Sequence, residues 1–307
     1  MRKLLMCAAL ALAACGSNPD PLASSRAVCA DEARAADARI AACTALIDSG
    51  ELEAGERADA QALRGRAYRD AGDVTAALRD FEAALRVNEN QFVALEGRAA
   101  ILLASGQIDS AEPLIDRLIE AGHALGQSNL MKGDAAMARS NYAAALAAYD
   151  SALEAEPEFA LAYARRGRAK QRLEDIDGAL ADYQAALERD SALVDARAGR
   201  CWLHLLREQD LEQARADAET AVAAAPQNVE AQLCRGVLQL RGEEWEAARR
   251  SFDTVLAVDA GNPTALFGRG LARRRAGDSQ GREDMNLARD FNAHIGATFD
   301  DLGVRSY

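Results

Sequence analysis

The sequence predicts an all-α protein built from stacked antiparallel helix hairpins, and three periodic features support this prediction. Alanines recur at intervals of 34 residues, with one interval of 35 residues. A large side chain follows most of these alanines four residues later, and a glycine precedes most of them by twelve residues. A fixed period of this length is typical of arrays in which each unit packs on its neighbours along the chain. The periodic alanines are Ala77, Ala111, Ala145, Ala179, Ala214 and Ala248.

Composition agrees with helices that pack closely. Half of the 307 residues are apolar, but aromatic residues make up only 5% of the chain and there are six prolines. Such a composition suits small side chains between helices rather than a bulky sandwich or barrel core. The formal net charge of -12 argues against nucleic acid as a partner, because binding to phosphates requires a basic surface.

Residues 1–14 have the features of a signal peptide. Arg2 and Lys3 precede an apolar run that is too short to span a bilayer. A segment of this kind is removed on export, so we exclude it from the predicted fold.

The signal ends in Leu-Ala-Ala-Cys, which resembles a bacterial lipobox. The resemblance implies that Cys15 becomes a lipidated first residue, that residues 15–23 form a tether, and that the protein contacts the membrane through this lipid. Because Gly16 rather than aspartate follows the cysteine, the resemblance implies the periplasmic face of the outer membrane. The alternative is an ordinary secretory signal cut near Ala13, which would leave a soluble periplasmic protein.

The spacing of apolar residues within one repeat predicts two helices. Two runs of about 14 residues carry apolar side chains at every third or fourth position, and a turn such as Ala71-Gly72-Asp73 separates them. Each repeat is therefore a hairpin of a helix A and a helix B. Small residues at matched positions let the two helix axes approach closely.

These positions resemble the tetratricopeptide repeat family, which has small residues at repeat positions 8, 20 and 27 and an aromatic residue at position 24. The resemblance implies a right-handed superhelical solenoid that binds proteins or peptides and is not an enzyme. It covers an array over residues 58–280, preceded by a degenerate hairpin at 24–57 and followed by capping helices at 281–307. Seven repeats begin at residues 58, 92, 126, 160, 194, 229 and 263.

Four cysteines would remain after export to an oxidising compartment. Cys29 and Cys43 fall on the two helices of the first hairpin, where a disulfide would close a loop of about 15 residues and contribute roughly 3 kcal/mol. Two buried thiols are the alternative for this pair. Cys201 and Cys234 fall on successive A helices, and for them a disulfide and two buried thiols both remain open.

No catalytic constellation is present in the sequence. None of the three histidines stands beside a nucleophile motif, and no phosphate-binding glycine loop occurs. His204 lies one turn from Cys201, but a zinc site lacks a fourth ligand. We therefore expect no catalytic residue, no metal and no cofactor.

Charge is divided unequally between the two helices. Positions 1 to 14 of the seven repeats, which form helix A, carry 20 basic and 6 acidic residues, whereas the rest of the chain carries 16 and 42. In the family that the chain resembles, helix A lines a concave groove, which implies a basic inner face. Position 7 is basic in every repeat, and we expect these cations to pair with helix B aspartates such as Asp80, Asp182 and Asp217.

Other helix A residues are expected to contact a partner. Arginine binds carboxylates through paired hydrogen bonds, and a tryptophan among leucines is typical of a peptide-binding hot spot. We therefore predict a protein or peptide partner with acidic character. The predicted groove residues are Arg168, Arg172, Trp202, Leu205, Leu206, Leu240, Arg241, Phe267, Arg274 and Arg275.

The sequence thus predicts a non-catalytic scaffold or assembly adaptor. The alternative is a module that binds a polyanion or a cell-wall glycan through its arginine-rich groove. The process that it serves is left open among barrel assembly, pilus biogenesis and cell-wall hydrolysis.

Overall fold

The computed structural model describes residues 22–305, and every regular element in this range is an α-helix. These residues form two compact bodies, residues 22–105 and residues 106–305. The predicted signal peptide and Cys15 lie outside the described residues.

The described part of the N-terminal body contains five helices. The first two form the hairpin that precedes the array, and the next two form repeat one. The fifth is helix A of repeat two. The five are α1 (Ala23–Ala30), α2 (Ala36–Asp48), α3 (Ala54–Asp70), α4 (Val74–Val87) and α5 (Phe92–Ala104).

The described part of the C-terminal body contains twelve helices. It begins with helix B of repeat two, continues through five complete hairpins and ends with a short additional helix. The twelve are α6 (Ile108–Glu120), α7 (Leu125–Ala138), α8 (Tyr142–Ala155), α9 (Ala160–Arg172), α10 (Ile176–Arg189), α11 (Val194–Arg207), α12 (Leu211–Ala224), α13 (Val229–Arg241), α14 (Trp245–Val258), α15 (Pro263–Arg275), α16 (Gly281–Phe291) and α17 (Ile295–Asp301).

The turn between helix A and helix B uses the same local chemistry in several repeats. The chain leaves α3 through Gly72, whose φ of 83° lies in the left-handed region. Asp73 then accepts a hydrogen bond from the amide of Ala76 at 2.9 Å and so caps α4. Asn141 and Asp175 cap α8 and α10 in the same way. The cap satisfies an amide that has no partner within its helix, which is why the polar residue marks the start of helix B.

A buried ring fills the space between successive A helices. Phe81 is fully buried, and a methyl group added to Gly65 of α3 would lie 2.8 Å from its ring. Gly97 of α5 contacts the same ring from the other side. Tyr183 and Phe252 contact glycines of two A helices in the equivalent manner. Glycine is required here because the ring leaves no space for a Cβ atom.

The last helix packs on the final hairpin. The rings of Phe267 on α15 and Phe299 on α17 lie 5.0 Å apart between centroids. The chain then turns through Gly303, and the amide of Val304 donates to the carbonyl of Phe299 at 2.9 Å. This pattern is a Schellman motif, which ends the helix and directs the chain back along it.

The described residues form two disulfides, one in each body. Cys29 is joined to Cys43 with a Cα–Cα distance of 4.9 Å, and Cys201 is joined to Cys234 with a Cα–Cα distance of 6.4 Å. Both distances lie within the range that a disulfide spans. The first bond joins the helices of one hairpin, and the second joins two successive A helices, α11 and α13.

Candidate functional site

The basic residue at repeat position 7 is a structural group in several repeats. In repeats one, four and five it donates to a buried aspartate on helix B of the same repeat, as the sequence predicts. The three pairs have N–O distances of 2.7 Å and are Arg64–Asp80, Arg166–Asp182 and Arg200–Asp217. Because these carboxylates are buried, removing either partner would leave an uncompensated charge. These cations are therefore not available to a ligand.

The same cations also reach helix B of the preceding repeat. Arg166 donates to Asp150 at 2.7 Å and Lys132 donates to Asp116 at 2.9 Å. In both cases the partner precedes the cation by sixteen residues. This second contact was not predicted, although the constant spacing of sixteen residues is a signal that would reveal it.

Helices α9, α11 and α13 line an open groove with a cavity of about 630 Å³. Its apolar wall includes Trp202 and Leu206 of α11 and Leu233 of α13. Trp202 is half-buried, and 42% of Leu206 is exposed to solvent. An apolar wall beside a charged rim is typical of sites that hold a side chain of a ligand.

Arg168 and Arg172 of α9 form the basic rim of this groove. Nη2 of Arg168 lies 3.4 Å from Oε2 of Glu230 on α13. Arg172 is exposed, and its side chain makes no hydrogen bond or ion pair within residues 22–305. Its guanidinium is therefore able to form two parallel hydrogen bonds with a carboxylate of a partner.

Acidic side chains share the groove with these arginines. Asp195 and Glu230 line both this cavity and an adjoining one of about 210 Å³. Burial raises the pKa of Glu230, since desolvation disfavours its charged form. The basic character expected of the inner face is therefore reduced at this groove, because Asp195 and Glu230 stand beside Arg168 and Arg172. Other helix A cations, such as Arg166 and Arg200, pair with helix B carboxylates.

The sequence matches the tetratricopeptide repeat family over residues 62–124, 130–194, 203–249 and 235–281. The chain belongs to this family. Tetratricopeptide repeat (TPR) proteins bind protein or peptide partners and act as scaffolds, and they are typically non-catalytic.

The fold is similar to those of several solved structures. A TPR protein from Parabacteroides merdae ATCC 43184 is 17% identical, with 81% of this chain and 100% of that chain covered and a TM-score of 0.54. A chain of the APC/C hetero-tetramer Cut9–Hcn1 is 13% identical, with 87% of this chain and 53% of that chain covered and a TM-score of 0.60. At these identities the similarity concerns the fold alone. No curated protein matches the sequence.

Four of the predicted groove residues of this TPR protein lie together. Arg168, Arg172, Trp202 and Leu206 all line the cavity between α9, α11 and α13. Leu233, whose repeat position also predicts a place in the groove, lines the cavity with them, as do Glu230 and Asp195, which were not among the predicted contacts. Asp195 and Glu230 occupy repeat position 2, which the family resemblance places in the groove. Their repeat position alone would therefore have predicted that they line it.

Three predicted groove residues are wrong, because they are buried. Leu205, Leu240 and Phe267 expose at most 3% of their surface. All three belong to one hydrophobic cluster with residues of α17 and of the turn that follows it, including Phe299 and Leu302. The C-terminal segment packs into this core, and none of these three side chains lines the groove between α9, α11 and α13.

Arg241 is also engaged by the C-terminal segment. Its Nη1 donates to the carbonyl of Leu302 at 3.0 Å and lies 3.6 Å from Oε1 of Glu208. The remaining two predicted residues, Arg274 and Arg275, are exposed but line two other cavities. The ten predicted residues therefore do not form one continuous surface.

Within residues 22–305, no group of three or more histidine, cysteine or acidic side chains is arranged to hold a metal ion. None of the helices in the same range combines the length and the apolar composition that crossing a bilayer requires.

Proposed function

We propose that this TPR protein is a non-catalytic scaffold that holds a segment of a partner protein in the groove between α9, α11 and α13. The observation that supports this proposal is the apolar wall of Trp202, Leu206 and Leu233 beside the exposed guanidinium of Arg172. Such a combination suits a segment with one large apolar side chain and one carboxylate.

The charge of the groove favours a peptide over a polyanion. Asp195 and Glu230 stand next to the two arginines, and Glu174 lines the same cavity. A polymer with closely spaced negative charges would be repelled by these carboxylates. A peptide with a single acidic residue can contact Arg172 and avoid them.

We propose that the scaffold is exported and anchored by lipid on Cys15 to the periplasmic face of the outer membrane. The order Leu-Ala-Ala-Cys after a short apolar run supports this proposal. Substitution Cys15→Ser should abolish metabolic labelling with palmitate and release the protein from the membrane fraction. Retention in that fraction, with unchanged labelling, would contradict the anchor while leaving the groove untouched.

Photo-crosslinking in intact cells tests the groove. A photoreactive residue in place of Leu206 should trap a partner, whereas the same residue in place of Leu287 should not. The two positions are matched in exposure, at 42% and 44%, but Leu287 lies on α16 outside the groove. Equal capture at both positions would contradict the proposal.

Variants of the groove test the same proposal on the purified partner. Trp202→Ala should weaken binding at least thirtyfold, since a central tryptophan contributes about 2 kcal/mol or more to such an interface. Arg172→Glu should weaken binding and leave the melting temperature nearly unchanged, because Arg172 pairs with no described residue. A large loss of stability in Arg172→Glu would show that this arginine is structural.

A further inference from the structure

A second cavity, of about 360 Å³, lies between α13, α15 and the turn that follows α17. Its floor is formed by Leu240, Leu271 and Val304, which are all buried. Trp245, at the start of α14, forms a half-buried side wall. The volume falls in the range of roughly 300–1,000 Å³ that is usual for ligand pockets.

The rim of this cavity is mainly basic. Arg241 of α13, Arg275 of α15 and Arg305 after α17 line it, against one acidic residue, Glu243. The bond to the carbonyl of Leu302 fixes the guanidinium of Arg241. Three cations from three separate elements therefore converge on one apolar floor.

The turn after α17 places Arg305 at this rim. Gly303 has a φ of 71°, and its amide donates to the carbonyl of Asp300 at 3.0 Å. A methyl group on Gly303 would lie 2.5 Å from Nη1 of Arg241. Glycine thus allows the close approach that brings Arg305 and Arg241 to the same cavity.

We propose that this cavity is a second binding site, which takes a carboxylate carried on a flat apolar group. The leucine floor and the indole of Trp245 would accept the apolar group. The guanidinium of Arg305 would bind the carboxylate through paired hydrogen bonds, while Arg241, which Leu302 and Glu208 hold in place, and Arg275 complete the rim. Glu243 disfavours a ligand with several negative charges. The site is separate from the groove and does not depend on the function proposed for it.

The two tryptophans of the chain allow the two sites to be observed separately. Trp202 lines the groove and Trp245 lines the second cavity, and the sequence contains no other tryptophan. Their indole N–H resonances in a 1H–15N spectrum can be assigned with Trp202→Phe. Titration with phenylacetate should shift the Trp245 resonance saturably, whereas phenylacetamide, which lacks the charge, should not.

Two substitutions separate specific recognition from general attraction. Arg305→Gln should weaken phenylacetate binding about tenfold, since a charge-assisted hydrogen bond is lost. Arg250→Gln, at an exposed position on α14, should leave binding unchanged. Equal shifts with acid and amide, a response at Trp202 instead of Trp245, or full binding in Arg305→Gln would overturn the proposal.

The source of the carboxylate is tested by a second titration. The peptide acetyl-Ala-Ala-Phe presents the same chemistry at the end of a chain. Tighter binding of the peptide than of phenylacetate would support a polypeptide end as ligand, and weaker binding would support a free organic acid. If neither compound shifts the Trp245 resonance, the proposed site is refuted.

Discussion

Asp217 shows how strongly one side chain of this array depends on its neighbours. It is fully buried and accepts hydrogen bonds from Arg197 at 3.1 Å and from Arg200 at 2.7 Å. Asp217→Asn should lower the free energy of unfolding by about 3 kcal/mol, because two guanidinium groups lose their countercharge. Urea denaturation followed by circular dichroism measures this change.

The control for this substitution is Asp116→Asn. Asp116 pairs with Lys132, but both side chains are 52% exposed. An exposed pair contributes about 1 kcal/mol or less, so this variant should be close to the wild type. Similar losses in the two variants would contradict the structural role assigned to the buried carboxylates.

Substitution by alanine should have opposite effects on stability at two glycines of α3. Gly65→Ala should destabilise the protein by about 1–3 kcal/mol, since the new methyl group would overlap the ring of Phe81. Gly55→Ala should stabilise it by up to about 1 kcal/mol, because nothing lies within 4 Å and alanine favours the helix. Thermal unfolding of both variants tests the packing, and a stabilised Gly65→Ala would refute it.

We expect partner binding to depend on pH because of Glu230. Burial raises its pKa, and as pH falls through that value the neutral carboxyl releases Arg168. An acidic partner should therefore bind more tightly at mildly acidic pH. Glu230→Gln should bind more tightly at neutral pH and lose this dependence, as isothermal titration at several pH values would show.

The same residue contributes to stability with a definite sign. Because the pKa of Glu230 is raised in the folded state, folding favours the protonated form, and its contribution is fully present below the unfolded pKa. That contribution is lost as pH rises through the pKa of Glu230 in the folded state.

The binding prediction has its own contradicting outcome. If the pH dependence of partner binding persists unchanged in Glu230→Gln, a group other than Glu230 causes it.

At the scale of residues, the periodic contacts were predictable and the non-periodic ones were not. The pairing of Arg166 with Asp182 follows from repeat numbering alone, because repeats one, four and five place these positions face to face. Leu205 and Leu240 occupy a position that the family resemblance assigns to the groove. They are buried here because a segment far along the chain packs into their core, and no local pattern reports that contact.

At the scale of elements, the disulfide between α11 and α13 holds two walls of the groove. Cys201 adjoins Trp202 and Cys234 adjoins Leu233, and both tryptophan and leucine line the cavity. The double substitution of Cys201 and Cys234 by alanine should lower stability by about 2–4 kcal/mol. It should also weaken partner binding about threefold or more, because a preorganised site becomes mobile.

The second disulfide is the control for this experiment. Replacing Cys29 and Cys43 by alanine should lower the stability of the N-terminal body and leave partner binding in the groove unchanged. Both bonds connect buried residues, so the two double variants differ mainly in location. Equal losses of affinity would show that the effect comes from general destabilisation.

The positions of most helices could be predicted from the sequence. Glycine and a capping aspartate mark the end of α3 and the start of α4, and the spacing of apolar residues gives the extent of both. The contact of α17 with α15 could not be predicted in the same way. It depends on Phe299 meeting Phe267, and the sequence after Gly277 has lost the period that would place it.

At the scale of the whole molecule, a repeat protein is predictable where its contacts are local. Each repeat packs on the next, so one hairpin and its period describe most of the array. The boundary between the two bodies, after Ser105, is different. It falls in the repeat that has Ala99 in place of the usual glycine and Pro113 inside α6. The sequence shows this departure from the family pattern but not the division.

The cation at repeat position 7 has a consequence for how such a chain can change in length. Arg166 bonds one carboxylate sixteen residues before it and another sixteen residues after it. The arginine therefore requires two offsets along the chain rather than two particular partners. Duplication or loss of one 34-residue segment leaves such an arginine paired only where a carboxylate stands at both offsets across the new junction. The neighbouring repeat differs, because Arg200 contacts Gln184 before it and Asp217 seventeen residues after it. This protein can therefore gain or lose whole hairpins without an unpaired buried charge only at junctions that restore both contacts.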